Sequence, residues 1–212
     1  MSETPSGATS AAGPALGPAL GPALGSEFFR RSVHRVAPDL IGATLLVDGV
    51  GGVIVETESY DGDDPACHGY GGPTERNATI FGPAGRAYVY LSYGIHCLLN
   101  FVCEREGRAA AVLIRALEPV AGIEAMRARR GREPLPELCS GPGKLGEALD
   151  IGLDLDGASL FEPPFELYER PGGLEIEVAS GPRIGISKAT ERPWRYCAVG
   201  TPHLSRPLAR TG

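Results

Sequence analysis

At 212 residues, with 42% hydrophobic and 22% charged content, the chain can build one substantial core and has the make-up of an ordinary globular protein. A net charge of −6 argues against indiscriminate coating of nucleic acid, while leaving room for a local basic face. No apolar run approaches the roughly 18 residues of a membrane span, and the five cysteines, odd in number and without CxxC spacing, form neither a disulfide framework nor a zinc ribbon.

Residues 1–25 repeat GPAL within a run of Ala, Gly, Pro, Ser and Thr. A segment with so little to bury is expected to be a disordered tail, with a single folded domain over 26–212. It lacks the basic-then-apolar order of a secretory signal, so a cytoplasmic location is expected.

Ser26 is placed to cap a helix through Phe28 and Phe29, and APDLIG (37–42) reads as a further helical turn. TLLVDGVGGVIVETE (44–58) reads as two strands around a Gly-rich hairpin turn. A loop rich in Gly, Asp and Pro fills 61–85. Three strand-like segments follow: RAYVYLSY (86–93), HCLLNFVC (96–103) and AAAVLIRAL (109–117). PVAGIEAMRARRG reads as a helix with Pro119 near its start and Gly131 at its end, and Ser140 is placed to cap GPGKLGEAL. Short strands are expected at 165–169, 174–178 and 183–187. Helix and strand signals do not alternate as repeated βαβ units. The fold class is therefore α+β, one mixed domain with a mainly antiparallel sheet.

Three features invite chemistry. In VETESYDG, period two puts Glu56, Glu58 and Tyr60 on one strand face. Two carboxylates roughly 7 Å apart there raise each other's pKa if desolvated, a setting for a general base; two hydrated carboxylates at a strand end are the plain alternative. Tyr88, Tyr90 and Tyr93 fall within AYVYLSYG, and with Tyr60 and His68 they could wall a flat pocket suited to a nucleobase, or simply be core. Glu56, Glu58, Asp61 and His68 include possible metal ligands, but their spacing matches no established zinc pattern, and no metal or cofactor is expected. Arg127, Arg129, Arg130 and Arg132 cluster in MRARRGR, either as a cationic face or as a solvated helix end.

Taken in order, GVIVETESYDG, DDPACHGY, RNATIFGPAG, AYVYLSYGIHCLLN, AVLIRALEP and LCSGPGKL resemble the alkyladenine (3-methyladenine) DNA glycosylase family found in mammals and many bacteria. The similarity runs from about residue 27 to about 197. It implies a curved, mainly antiparallel sheet flanked by helices and a monofunctional DNA glycosylase acting in base excision repair. The implied substrates are alkylated or deaminated purines of the 3-methyladenine, 7-methylguanine and hypoxanthine type, and the implied partner is damaged double-stranded DNA met by a monomer, with no membrane.

By the same resemblance, Glu58 is the water-activating base, Tyr60, His68 and Tyr90 stack on the flipped base, and Asn100 lines its pocket. Tyr93 wedges into the duplex, and Arg115 belongs to the base-binding region and DNA contact. The purine is expected between Tyr90 on one side and Tyr60 with His68 on the other. Only Lys144 and Lys188 could supply a lyase amine, and neither lies in the matched pocket motifs, which favours water as nucleophile. Glu75, where the family has proline, and Cys67 depart from its pattern. A metal-dependent nucleoside hydrolase and a non-catalytic nucleic-acid-binding module are the competing classes.

Overall fold

The computed structural model describes residues 20–208. Two short helices, α1 (Ser26–Phe29) and α2 (Val33–Asp39), lead into strands β1 (Thr44–Val47) and β2 (Val50–Asp61). A 3₁₀ helix (Glu75–Phe81) precedes β3 (Ala87–Ser92), β4 (His96–Val102) and β5 (Ala110–Ala121). Helices α3 (Ile123–Arg130), α4 (Leu135–Leu138) and α5 (Pro142–Ala148) follow, then β6 (Phe165–Tyr168), β7 (Val178–Gly181) and β8 (Arg195–Ala198).

Every strand pairing is antiparallel, in the order β3-β4-β5-β2-β1-β6, and the long β2 is the branch point. Along one edge it pairs with β5; along the other its first half pairs with β1 and its second half, Glu56 to Glu58, with β8. The close approach at the branch requires glycine, since a Cβ on Gly51 or Gly52 would sit 2.0 Å from the Leu45 or Glu118 carbonyl oxygen. The result is one mixed α+β domain on a curled antiparallel sheet, as expected from the sequence.

The core lies on the face where Leu99, Phe101, Val112 and Ile114 meet Phe29, Val33 and Val36 from α1 and α2. Thr57 and Ser59 point the same way: the Thr57 hydroxyl donates to the Ala37 carbonyl at 2.8 Å, and Ser59 Oγ lies 2.9 Å from His34 Nδ1. Alternation therefore turns Glu58 and Tyr60 to the opposite face, where the ladder runs Tyr88–Asn100–Leu113–Glu58 across four strands.

Several local expectations are corrected. Residues 1–19 of the expected tail lie outside the described residues, while Ala23 already bridges Tyr168 and Leu24 is buried. Gly25, not Ser26, occupies the cap position of α1, and Pro38 lies inside α2 rather than at a helix start. The 61–85 loop contains the 3₁₀ helix, started by a capping box between Thr74 and Asn77. Pro119 belongs to β5, opposite Gly52 at a register shift, where a missing N–H is tolerated. Gly141, rather than Ser140, caps α5. No strand forms at 183–187, and the strand expected at 174–178 begins only at Val178.

Candidate active site

The sheet face opposite the core carries a cavity of about 510 Å³. Tyr60, His68, Tyr90, Tyr93, Asn100 and Arg115 all line it, and the loop 184–188 closes one side. Glu58 lies just beneath: its side chain is fully buried, and its two hydrogen-bond donors and its ion-pair partner all belong to lining residues. Tyr60 Oη donates to Oε2 at 2.7 Å, Arg115 Nη1 stands 3.1 Å from the same oxygen, and the Ile184 backbone N–H donates to Oε1 at 2.7 Å. Burial, then the neighbouring Glu58 charge, raises the Tyr60 phenol, which therefore stays protonated as a donor.

Glu56 sits next to this carboxylate without reaching the cavity. Arg115 Nε (2.7 Å), Arg195 Nε (2.8 Å) and the Ser205 hydroxyl (2.7 Å) all contact its Oε1, and the Ser205 N–H donates to Oε2 at 2.6 Å. Arg115 thus bridges the two glutamates, made possible because it forms a bulge between Ala116, opposite Glu56, and Ile114, opposite Thr57. Burial disfavours the guanidinium, but Glu58 and Glu56 more than offset that and hold it charged. For Glu56, burial pushes the carboxyl up, yet Arg115 and the bonds from Ser205 and Arg195 together hold it below its usual 4.5.

A depressed carboxyl contributes stability above its unfolded pKa and loses it as pH falls through the folded value. The stability advantage of the wild-type protein over Glu56→Gln is accordingly expected to be full at neutral pH and to shrink below pH 4.5, the ordinary value of the group. Thermal melts of both proteins between neutral and strongly acidic pH check this; a gap independent of pH would contradict it.

The aromatic walls come from three places. Arg183 covers one face of the Tyr60 ring, with its guanidinium carbon 4.5 Å from the centroid, so the opposite ring face is the one free to meet a ligand. The His68 and Tyr90 rings touch edge to face, with centroids 4.4 Å apart. No base fits between them, and His68 shares a wall with Tyr90 instead of with Tyr60, correcting the expected arrangement. Burial, and then the charge of Arg76, lowers the His68 pKa, keeping the imidazole neutral near pH 7; its Nδ1 meets the Tyr88 hydroxyl at 3.0 Å, leaving Nε2 for a ligand. The Asn100 amide nitrogen is tied to the Tyr88 and Leu98 carbonyls at 3.1 and 3.3 Å.

At the rim, Tyr93 is 89% exposed. It sits at the tip of the β3–β4 hairpin with φ of 51°, followed by Gly94 at 71°, and the Ile95 N–H closes the turn on the Ser92 carbonyl at 3.0 Å. That left-handed pair throws the ring outward from the sheet. Ile95 beside it is 74% exposed, a second apolar group at the rim that sequence reasoning left without a role. The loop 184–188 and the Glu56 partners Arg195 and Ser205 were also missed. Gly185, with φ of 80°, was the available signal against a strand there.

Two charge expectations are resolved. The arginines of 127–132 are matched locally: Arg127 with Glu124 and Glu133, Arg129 with Asp150, Arg130 with Glu147 and Arg132 with Glu137. Lys188, which lies in none of the matched pocket motifs, lines the cavity, because 184–188 is a loop that folds over the rim. Among the described residues, no three His, Cys, Asp or Glu side chains converge as a metal site would need, and no helix is long and apolar enough to cross a membrane.

Against known proteins, a model of the family described as methylpurine-DNA glycosylase matches residues 27–202. A protein of Rhodopseudomonas palustris (strain HaA2), named as a candidate 3-methyladenine DNA glycosylase, is 60% identical over 181 residues, covering 85% of this chain and 89% of that protein. A similarly named protein of Bradyrhizobium diazoefficiens is 59% identical, over 86% of this chain and 90% of its own. One of Nitrosospira multiformis is 56% identical, over 85% and 92%.

Proposed function

The chain belongs to the methylpurine-DNA glycosylase family, and from that premise we propose that Glu58 drives water against the sugar of a damaged purine turned out of duplex DNA. The enzyme is a DNA glycosylase of the 3-methyladenine type, a hydrolase of N-glycosyl bonds serving DNA repair. The observation that carries the mechanism is the buried Glu58 carboxylate at the floor of an aromatic-walled cavity with an exposed tyrosine at its rim.

A stacked base cannot be reached, and extruding it costs a few kcal/mol. Tyr93 fills the vacated space and offsets part of the lost stacking. The purine lies between Tyr60 on one side and the joined His68–Tyr90 wall on the other. Asn100, pinned by two backbone carbonyls, cannot swing away from an exocyclic group at that edge, which disfavours normal guanine. Arg115, 5% exposed beneath the base, acts on the base and on the carboxylates rather than on phosphate.

Tyr60, Ile184 and Arg115, all on the cavity lining, hold the Glu58 carboxylate in place beneath it. Glu58 deprotonates a water that enters beside it for attack at C1′, while its charge stabilises the developing positive sugar. An alkylated purine such as 3-methyladenine or 7-methylguanine is already cationic and leaves readily. Hypoxanthine, which is neutral, needs a hydrogen bond at its ring, for which His68 Nε2 is available. Because one chain supplies the whole cavity, a monomer suffices for a single extruded nucleotide.

The test is to incubate the protein with methylated duplex DNA in EDTA and separate the products. Free 3-methyladenine with an unbroken abasic strand is expected, and no covalent adduct after borohydride, since water rather than an amine is the nucleophile. No base release at any salt concentration would defeat the proposal; loss with chelator would point to a metal-dependent hydrolase.

Phosphate contacts are assigned to Lys188 on the lining, Arg76 on an adjoining recess, and Lys144, two residues on from the lining Pro142. Replacing Lys144 and Lys188 by Met is expected to flatten the slope of log affinity against log salt by about 0.9 per charge. Replacing the ion-paired Arg127 and Arg132 is expected to leave that slope unchanged. Equal effects from the two pairs in a fluorescence titration would contradict this assignment.

A further inference from the structure

Away from the catalytic carboxylate, Arg183 and Asp64 form an ion pair with both side chains fully buried. Asp64 lies in the loop after β2 that carries Pro65, Ala66 and His68 to the cavity, and Arg183 opens the loop 184–188 that closes its other side. The contact is a two-pronged fork: Nη1 pairs with Oδ2, and Nη2 donates to Oδ1 at 3.1 Å. The same guanidinium donates to the Ser59 carbonyl of β2 at 3.1 Å and to the Ala189 carbonyl, at the far end of the closing loop, at 3.5 Å. Its flat face covers Tyr60 at 4.5 Å and approaches Trp194 at 5.1 Å. The residue next along the chain is Ile184, whose N–H holds Glu58 Oε1 at 2.7 Å.

A buried ion pair is weak evidence for stability, because apolar residues of similar volume often serve as well. What such residues lack is direction: a planar fork fixes angle as well as distance. We propose that Asp64 and Arg183 are positioning residues, a clasp between the two pocket loops that sets the Ile184 N–H against Glu58 and holds the Tyr60 ring at stacking distance from the base. This inference rests on the base-flipping hydrolysis proposed above. Arg183 touches neither base nor sugar and acts through Ile184 and Tyr60.

The test compares single-turnover base release with affinity for a duplex containing an abasic site, in two variants. Asp64→Leu combined with Arg183→Met removes both charges together, so the fold is expected to be kept, with a modest fall in melting temperature because the Ser59 and Ala189 carbonyls and the Ala66 N–H lose their partners. Base release is nevertheless expected to fall about 100-fold, the order of loss that a misplacement near 1 Å causes, with affinity for the abasic duplex unchanged. Arg183→Lys keeps the charge but loses the fork, and serves if the double variant fails to fold. It is expected to lower the rate without altering that affinity, and to shift the emission of Trp194, the chain's single tryptophan.

Release at the wild-type rate from the folded double variant, or from Arg183→Lys if the double variant does not fold, would overturn the proposal. No release by the wild-type protein would instead remove the functional reading beneath it.

Discussion

Glu58→Gln is expected to bind duplex DNA carrying hypoxanthine as tightly as the wild-type protein while releasing the base about 10²- to 10⁴-fold more slowly, the usual contribution of a positioned acid or base. The substitution keeps the shape of a side chain that is fully buried, so the walls made by Tyr60, His68 and Tyr90 stay in place. It removes the carboxylate proposed to take a proton from water. It also sets an amide N–H₂ beside two donors, Tyr60 and the Ile184 N–H, and the Arg115 cation, so that one of these groups loses its partner, at a cost of about 1–3 kcal/mol. Some loss of stability should therefore accompany the loss of rate without accounting for it. Single-turnover release measured beside direct binding separates the two effects, and normal turnover by the variant would remove Glu58 from the mechanism.

Arg115→Met is expected to be the most destabilising single change at the site. The guanidinium lies between Glu56 and Glu58 with all three side chains almost wholly buried, and removing one partner from such a group costs about 3–5 kcal/mol because the remaining charge stays buried. For a domain of this size that corresponds to a fall in melting temperature of the order of 10 °C. Glu56 keeps Arg195 and Ser205, so the larger consequence falls on Glu58, and base release should fall with stability. Arg115→Lys keeps the charge but cannot reach both carboxylates in fixed geometry, and should lie between the two proteins. A melting temperature within a degree of wild type for Arg115→Met would show that the two carboxylates do not depend on this cation.

Much of the site was legible because strands keep a period of two. Glu56, Glu58 and Tyr60 face away from the core as their spacing required, and the cross-strand register then brings Asn100 and Tyr88 into the same row as Glu58. Their roles at the site, in contrast, came from the family resemblance and not from any spacing. What stayed illegible depends on distant contacts. Arg195 and Ser205 reach Glu56 across 139 and 149 residues, and Arg183 reaches Asp64 across 119; no local pattern marks such pairs. The loop 184–188 looked like a strand by its alternating isoleucines, yet the Ile184 N–H is spent on Glu58 rather than on a neighbouring strand. Pro119 looked like a helix start because proline favours that position, but the register shift at Gly52 gave it a place inside β5. Glu56, which sequence alone left without a role, is the ionic partner that fixes Arg115 on the cavity lining.

The most direct measurement is a crystal structure of Glu58→Gln bound to a duplex containing one hypoxanthine. The account predicts the purine in the cavity, between Tyr60 and the His68–Tyr90 wall, with the Tyr93 ring in the gap it left and a water beside the substituted side chain. A hypoxanthine still stacked in the helix, or a Tyr93 ring lying away from the duplex, would contradict it.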